Sequence, residues 1–249
     1  MELEIEYLVV EVTRRCNMKC RHCLRGEPQN KTMSKQHIFD FLSQTKYISN
    51  VTFTGGEPTL PSGMKVIEDF IDVTIGRDID IGNFYMVTNA KVWRPELPYL
   101  VNRLYNICSD NEISLIDIST DSYHDHITEQ RHKFKRRLEE DLFYEYGLQD
   151  LVGMRRDIYE SAILPEGRGT QYGNPAKEAP EFVFDMRESY SCLNISEAEF
   201  YLNCDGNVIS GCDWSYESQK DPKNIICAAS DDMKKILYKM AEAEIEMET

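Results

Sequence analysis

The stretch Arg14 to Arg25, RRCNMKCRHCLR, sets Cys16, Cys20 and Cys23 within eight residues. Thiolate sulfur is a soft ligand that suits zinc and iron–sulfur clusters. A structural zinc site closes with four protein ligands, and here three thiols are offered. His22 is a poor fourth, because neighbours in sequence rarely both turn onto one ion. A four-iron cluster held by three cysteines would instead leave one iron open to an external ligand. A second constellation is TFTGGEPTL, Thr52 to Leu60. Gly55 and Gly56 let the backbone approach a ligand closely and adopt angles that other residues avoid. Glu57 sets a carboxylate beside that gap, suited to an ammonium group, and Pro58 stiffens the exit. The stretch lacks the G-x-G-x-x-G spacing and the Lys-Ser/Thr of a phosphate loop.

The segments that must position these residues alternate in a strand–helix rhythm. YLVVEV (Tyr7 to Val12), NVTFT, NFYMVT and ISLIDIS read as strands, with IYESAIL as a fifth and EFVFDM as a sixth. Between them HIFDFLSQTKYI, GMKVIEDFIDVTI, ELPYLVNRLYNIC and Asp121 to Tyr146 carry helical spacing. Repeated strand–helix units imply parallel strands with helices packed outside. The fold class is therefore α/β, a partial, open (β/α)6 barrel of the TIM kind. The working site of such a sheet lies at the carboxyl ends of its strands, and both motifs follow a strand end. From about Tyr190 the rhythm breaks. Residues 1–189 read as the barrel and 190–249 as a C-terminal extension of a β-hairpin plus a helix.

Composition narrows the functional classes. The 249-residue chain is 41% hydrophobic and 29% charged, the balance of a globular protein. No apolar run approaches a membrane span. The acidic N-terminus MELEIEYLVVEV gives no secretory signal, so a cytoplasmic location is expected. Eight cysteines in such a chain point to metal binding more than to disulfides. The net charge of −15 argues against nucleic acid as a partner, since phosphate backbones are held by Lys and Arg.

C-x-x-x-C-x-x-C after the first strand, followed by Gly-Gly-Glu-Pro after the second, resembles the radical S-adenosylmethionine (SAM) enzymes. That resemblance implies a [4Fe-4S] cluster on Cys16, Cys20 and Cys23, its open iron chelated by the amino and carboxylate groups of SAM. Reductive cleavage of SAM would yield a 5′-deoxyadenosyl radical that abstracts hydrogen from a substrate. A flavodoxin or ferredoxin is the implied electron donor. The resemblance assigns cofactor binding to His22, Gly55, Gly56, Glu57 and Pro58, and to Thr88 and Asn89 of MVTNA and Ser119 and Asp121 of DISTDS. For Asp121, capping the next helix is an equal reading. Arg168, in LPEGRG, resembles a family arginine that pairs with the carboxylate of SAM. The run RHKFKRR, Arg131 to Arg137, reads as a solvated helix face.

Cys192, Cys204, Cys212 and Cys227 fall within 36 residues around the hairpin signal Asp205-Gly206. Zinc, an iron–sulfur cluster or burial as core thiols are all open to them. The arrangement resembles the auxiliary-cluster (twitch- or SPASM-like) extensions of the same superfamily. With a two-residue turn, residue 204 pairs with 207 and residue 199 with 212, which puts Cys204 and Cys212 on opposite faces. Cys192, Cys212 and Cys227 are then the stronger ligands, and Cys204 joins them only through a bulge. Relatives with such extensions modify peptides (crosslinks, thioethers, epimers) or dehydrogenate small molecules such as sugars. Peptide modification is the first expectation, with a separate leader-peptide-binding protein as a partner. A non-catalytic iron–sulfur or zinc protein is the alternative of a different class.

Overall fold

The computed structural model describes residues 2–120, 127–155, 163–172, 182–189 and 191–248, without side-chain detail at Glu112 and 244–248. Five parallel strands, β1 (Glu2–Thr13), β2 (Thr45–Gly55), β3 (Asp80–Thr88), β4 (Leu115–Ser119) and β5 (Val152–Arg155), alternate with helices α1 (Lys35–Leu42), α2 (Pro61–Arg77), α3 (Leu97–Ile107) and α4 (Thr128–Tyr146). The C-terminal part adds β6 (Asp185–Glu188), β7 (Cys192–Leu202), β8 (Asn207–Ser210), β9 (Ile225–Ala228) and α5 (Met233–Glu248). Local signals set several boundaries. The Ser34 side chain accepts the Gln36 N–H at 3.2 Å to start α1, Pro61 opens α2, and Asp78 ends α2 in the left-handed conformation.

All the described strands lie in one sheet, ordered β5-β4-β3-β2-β1-β7-β8-β9, with β6 on β7. The parallel barrel sheet is present, but its sixth parallel strand is not EFVFDM. β7 takes that place, running parallel to β1 from Glu2↔Cys192 to Val10↔Leu202, while β6 is a short antiparallel strand on β7. The C-terminal segment thus continues the barrel sheet on the far side of β1. Alternation along β1 divides the interior. Leu8, Val10 and Val12 join the main core, whereas Val9 packs with Tyr201 and Ile209 in a second cluster that Cys212 and Trp214 flank. No helix among the described residues is long and apolar enough to cross a membrane.

Three further expectations change. The fifth described strand is VGMR, residues 152–155, while residues 158–162 of the expected IYESAIL lie outside the described ones. Asp121 also lies outside them. Arg131 is not solvated: it is buried, and its guanidinium donates to the carbonyl of Ser119 at the end of β4. The hairpin register moves by one. The Asn203 side-chain oxygen accepts from the N–H groups of Asp205 (2.9 Å) and Asn207 (3.0 Å), and Gly206 takes φ +81°. That makes a three-residue turn, Cys204–Gly206, so Glu199 faces Gly211 and not residue 212.

Gly153 explains why β5 carries no apolar signature at its centre. It lies opposite Asp117 of β4, and a Cβ there would approach Asp117 Oδ1 closer than 3.0 Å. Asp117 in turn accepts the Tyr85 hydroxyl at 2.8 Å. Gly153→Ala is expected to cost about 2 kcal/mol in urea unfolding, and most of that cost should vanish in an Asp117→Ala background.

Candidate active site

The loop between β1 and α1 is zipped at its base. Arg14 N–H donates to Lys31 O (2.9 Å), Gln29 N–H to Arg14 O (2.9 Å) and Met33 N–H to Val12 O (3.1 Å). The residues between form a lobe at the carboxyl end of β1, turned by Cys23 N–H to Cys20 O (3.3 Å) and Gly26 N–H to Cys23 O (3.2 Å). Cys16, Cys20, His22 and Cys23 all line one cleft of about 480 Å³. Burial pushes the Cys16 thiol up to about 11, with Glu57 and Cys23 adding to it against the Met18 N–H and Arg168. The free thiol is therefore protonated at neutral pH, and metal binding must release its proton.

The glycine pair serves this loop first. A Cβ on Gly55 would strike the Thr13 carbonyl and one on Gly56 the Arg15 carbonyl, both closer than 3.0 Å. In return Gly56 N–H donates to Thr13 O (2.6 Å) and Glu57 N–H to Arg15 O (2.9 Å). The close backbone approach expected toward a ligand is thus made to the base of the cysteine lobe, and the same residues also line the cleft. Glu57 is buried and oriented: Oε1 accepts from Thr59 N–H (3.0 Å), Thr59 hydroxyl (2.5 Å) and Thr88 hydroxyl (2.7 Å), and Oε2 from Asn89 N–H (2.9 Å). Asn89 Nδ2 donates to Asn17 Oδ1 at 2.9 Å, tying the end of β3 to the lobe.

Around the same cleft stand Pro58, Thr88, Asn89, Ser119 and Arg168, so the structure gathers every described barrel residue of the expected site. It adds Arg155, Asp213 and Tyr216, which sequence reasoning missed. Arg155 pairs in register with Ser119 at the end of β5. Arg168 donates its backbone N–H to Cys23 O (3.0 Å) and its Nη1 to Glu27 Oε1 (3.3 Å). Its buried Nε has no hydrogen-bond partner among the described residues.

The four C-terminal cysteines are not brought together. Cys192 starts β7 opposite Glu2, at the amino end of β1 and away from the cleft. Leu202, at the other end of β7, is level with Val208 and through it with Cys227. Ten residues of strand at ~3.3 Å each separate those levels. Cys204 and Cys227 are buried in the main core, and Cys212 lies against the second cluster. Cys204 donates its N–H to Glu11 Oε2 (2.8 Å) and its thiol to Glu11 O (3.1 Å). Burial pushes Cys227 up to about 12, and burial with Glu199 and Asp213 does the same to Cys212. Of the expected auxiliary ligands Cys192, Cys212 and Cys227, with Cys204 only through a bulge, the sheet sets Cys192 apart from the level of Cys227 by most of the length of β7.

The residues present fit a cluster with SAM as the added ligand. The donors are three soft thiols on one lobe. Among the described residues no three His, Cys, Asp or Glu side chains converge closely enough to hold one ion. The thiols surround the cleft without converging, and a four-iron cluster spans its ligands more widely than one ion does. The buried, unpartnered Arg168 Nε and the oriented Glu57 offer complementary charges to a zwitterion.

Over 125 residues the chain is 27% identical to a GTP 3′,8-cyclase of Campylobacter fetus, covering 47% of this chain and 35% of that protein. A GTP 3′,8-cyclase of Listeria monocytogenes is 30% identical over 128 residues, covering 48% and 34%. The matched stretches thus span about a third of these relatives' length. Among solved structures, a histidine-tagged anSMEcpe with bound AdoMet superposes with TM-score 0.52 at 13% identity, over 94% of this chain and 80% of that one. Native anSMEcpe with bound AdoMet and a Kp18Cys peptide gives 0.50 at 13% identity over the same shares. These structures share the fold. The family model of the Radical SAM superfamily matches residues 10–140, from within β1 through most of α4, which takes in the cysteine lobe, the glycine turn and the ends of β3 and β4. The chain therefore belongs to the Radical SAM superfamily.

Proposed function

We propose that this chain is a radical SAM enzyme that modifies a peptide. The observation that carries the reading is one cleft, at the carboxyl ends of parallel strands, lined by three thiols, the Gly55–Pro58 turn, Arg155 and Arg168. Cys16, Cys20 and Cys23 would hold the [4Fe-4S] cluster, with SAM in the cleft beside it. Bound there, the pair would supply one-electron cleavage of SAM and with it the radical chemistry that takes hydrogen from a substrate. Glu57, fixed by Thr59, Thr88 and Asn89, receives the ammonium group. Arg168 and Arg155, which line the same cleft, would take the carboxylate. Asp213 and Tyr216 close the cleft from the C-terminal side and help keep water from a reactive species.

The cleft volume of about 480 Å³ suits a single small ligand. With SAM inside, the substrate enters by only a small part, as one residue of a peptide does. The peptide-bound anSMEcpe, similar in fold, supports the same choice. Dehydrogenation of a sugar or cyclitol is the second reading. A flavodoxin- or ferredoxin-type donor and a separate leader-binding protein are the proposed partners. Anaerobically reconstituted protein given SAM and dithionite is expected to release 5′-deoxyadenosine, measured by chromatography. No release, with SAM leaving the cluster spectrum unchanged, would leave a non-catalytic metal protein.

A further inference from the structure

Two buried arginines bracket the cysteine lobe, and their surroundings differ. Arg14, 1% exposed, is compensated. Its Nε lies 3.1 Å from both Glu11 oxygens, and its Nη2 lies 2.7 Å from Asp205 Oδ2 and 2.8 Å from Gln219 Oε1. Arg25, two residues beyond Cys23 and 7% exposed, has no carboxylate within ion-pair distance among the described residues. Its Nη1 donates to the Trp214 carbonyl at 2.6 Å, and its guanidinium lies 4.7 Å from the centroid of the Tyr201 ring. The Tyr216 N–H returns a hydrogen bond to the Arg25 carbonyl at 3.1 Å.

The carboxylate that acts on Arg25 is that of Glu11, which is already paired with Arg14 and lies beyond ion-pair distance of Arg25, and a carbonyl with a ring face offsets only part of the cost of burying a cation. Arg25 lines the same cleft as Cys16, Cys20 and Cys23, where further negative charge would gather on metal binding. Deprotonated by metal, the three thiols supply that charge. Trp214, Tyr216 and Tyr201 all come from the C-terminal part, so that part acts on the lobe by seating this cation.

We propose that Arg25 is the counter-cation of the three-thiolate site, held against it by Trp214 and Tyr201, and that it favours the reduced state of the bound cluster. The proposal rests on the radical SAM reading above. A four-iron core on three thiolates carries net negative charge. The electron that reduces it, delivered by dithionite in the test, adds one more, which a nearby buried cation stabilises.

Arg25→Met removes the charge and keeps an apolar stem, while Arg25→Lys keeps the charge. Reconstituted proteins are titrated with dithionite and followed by electron paramagnetic resonance, with iron and sulfide counted per chain. In Arg25→Met the ratio of reduced to oxidised cluster at a fixed solution potential is expected to fall about tenfold, and in Arg25→Lys to stay within about threefold of wild type. A fully loaded Arg25→Met that titrates like wild type overturns the proposal, as does a Lys variant that behaves like the neutral one. Should Arg25→Met take up no iron while Arg25→Lys does, loading follows the charge and the proposal stands. Should both fail to load, Arg25 serves packing and the proposal falls. Wild-type protein that takes up no iron would instead sink the radical SAM reading.

Discussion

Replacing Cys16, Cys20 and Cys23 together with alanine is expected to remove 5′-deoxyadenosine formation below detection and to reduce iron and sulfide to background. The fold should survive. The three thiols are half-buried in a lobe whose base is closed by backbone hydrogen bonds between Val12–Arg14 and Gln29–Met33, none of which uses a cysteine side chain. The melting temperature of the cluster-free triple variant should therefore match that of cluster-free wild type within a few degrees. The iron count is the sharper reading. An auxiliary cluster in the C-terminal extension would leave about half the iron in place. The sheet instead puts Cys192 at the amino end of β7, Cys204 and Cys227 in the main core and Cys212 against the second cluster. Cys192 is thus removed from the level of Cys227 by most of the length of β7, which works against one shared cluster on all four. Half the iron surviving would mean that the C-terminal segment refolds around metal into an arrangement other than this sheet.

The chemistry was legible in residues 14–25 and 52–60 because metal ligands and backbone-contact glycines are scarce types whose spacing is itself the signal. The barrel was legible for the same kind of reason, since four strand–helix units repeat with their own periods. What stayed hidden was non-local. Nothing in the pattern of Cys192 to Leu202 says that its partner is β1, some 190 residues earlier, and an isolated hairpin reads the same. VGMR was passed over because Gly153 interrupts its apolar run, though that glycine makes room for Asp117. The turn at Asp205-Gly206 was found, but the Asn203 side chain, which lengthens it by one residue, makes its bonds only when folded. Arg131 reads as surface charge in sequence, and Arg25 and Arg155 carry no signal of their own there. Their roles come from tertiary partners such as Trp214, Ser119 and the cleft.

Gly56→Ala is expected to cost about 3 kcal/mol or more in urea unfolding and to loosen the cysteine lobe. The added Cβ meets Arg15 O and the carbonyl carbons of Arg15 and Arg14, all backbone, with no flexible side chain to give way. Relief would require either β2 to withdraw from β1, breaking Gly56 N–H to Thr13 O, or the lobe to lift, breaking Glu57 N–H to Arg15 O. The second route moves Glu57 relative to Cys16, so SAM binding should weaken along with stability. Gly76, near the end of α2, is the internal control. A Cβ there meets nothing within 4 Å, and its φ is not positive. Gly76→Ala should raise stability by about 0.5–1 kcal/mol through lower unfolded-state entropy and better helix propensity. Two glycine-to-alanine changes of opposite sign in one protein separate a steric requirement from a general effect of the substitution. If Gly56→Ala proved as benign as Gly76→Ala, the glycine turn would not be packed against the lobe, and the steric reason for the Gly-Gly pair would fail.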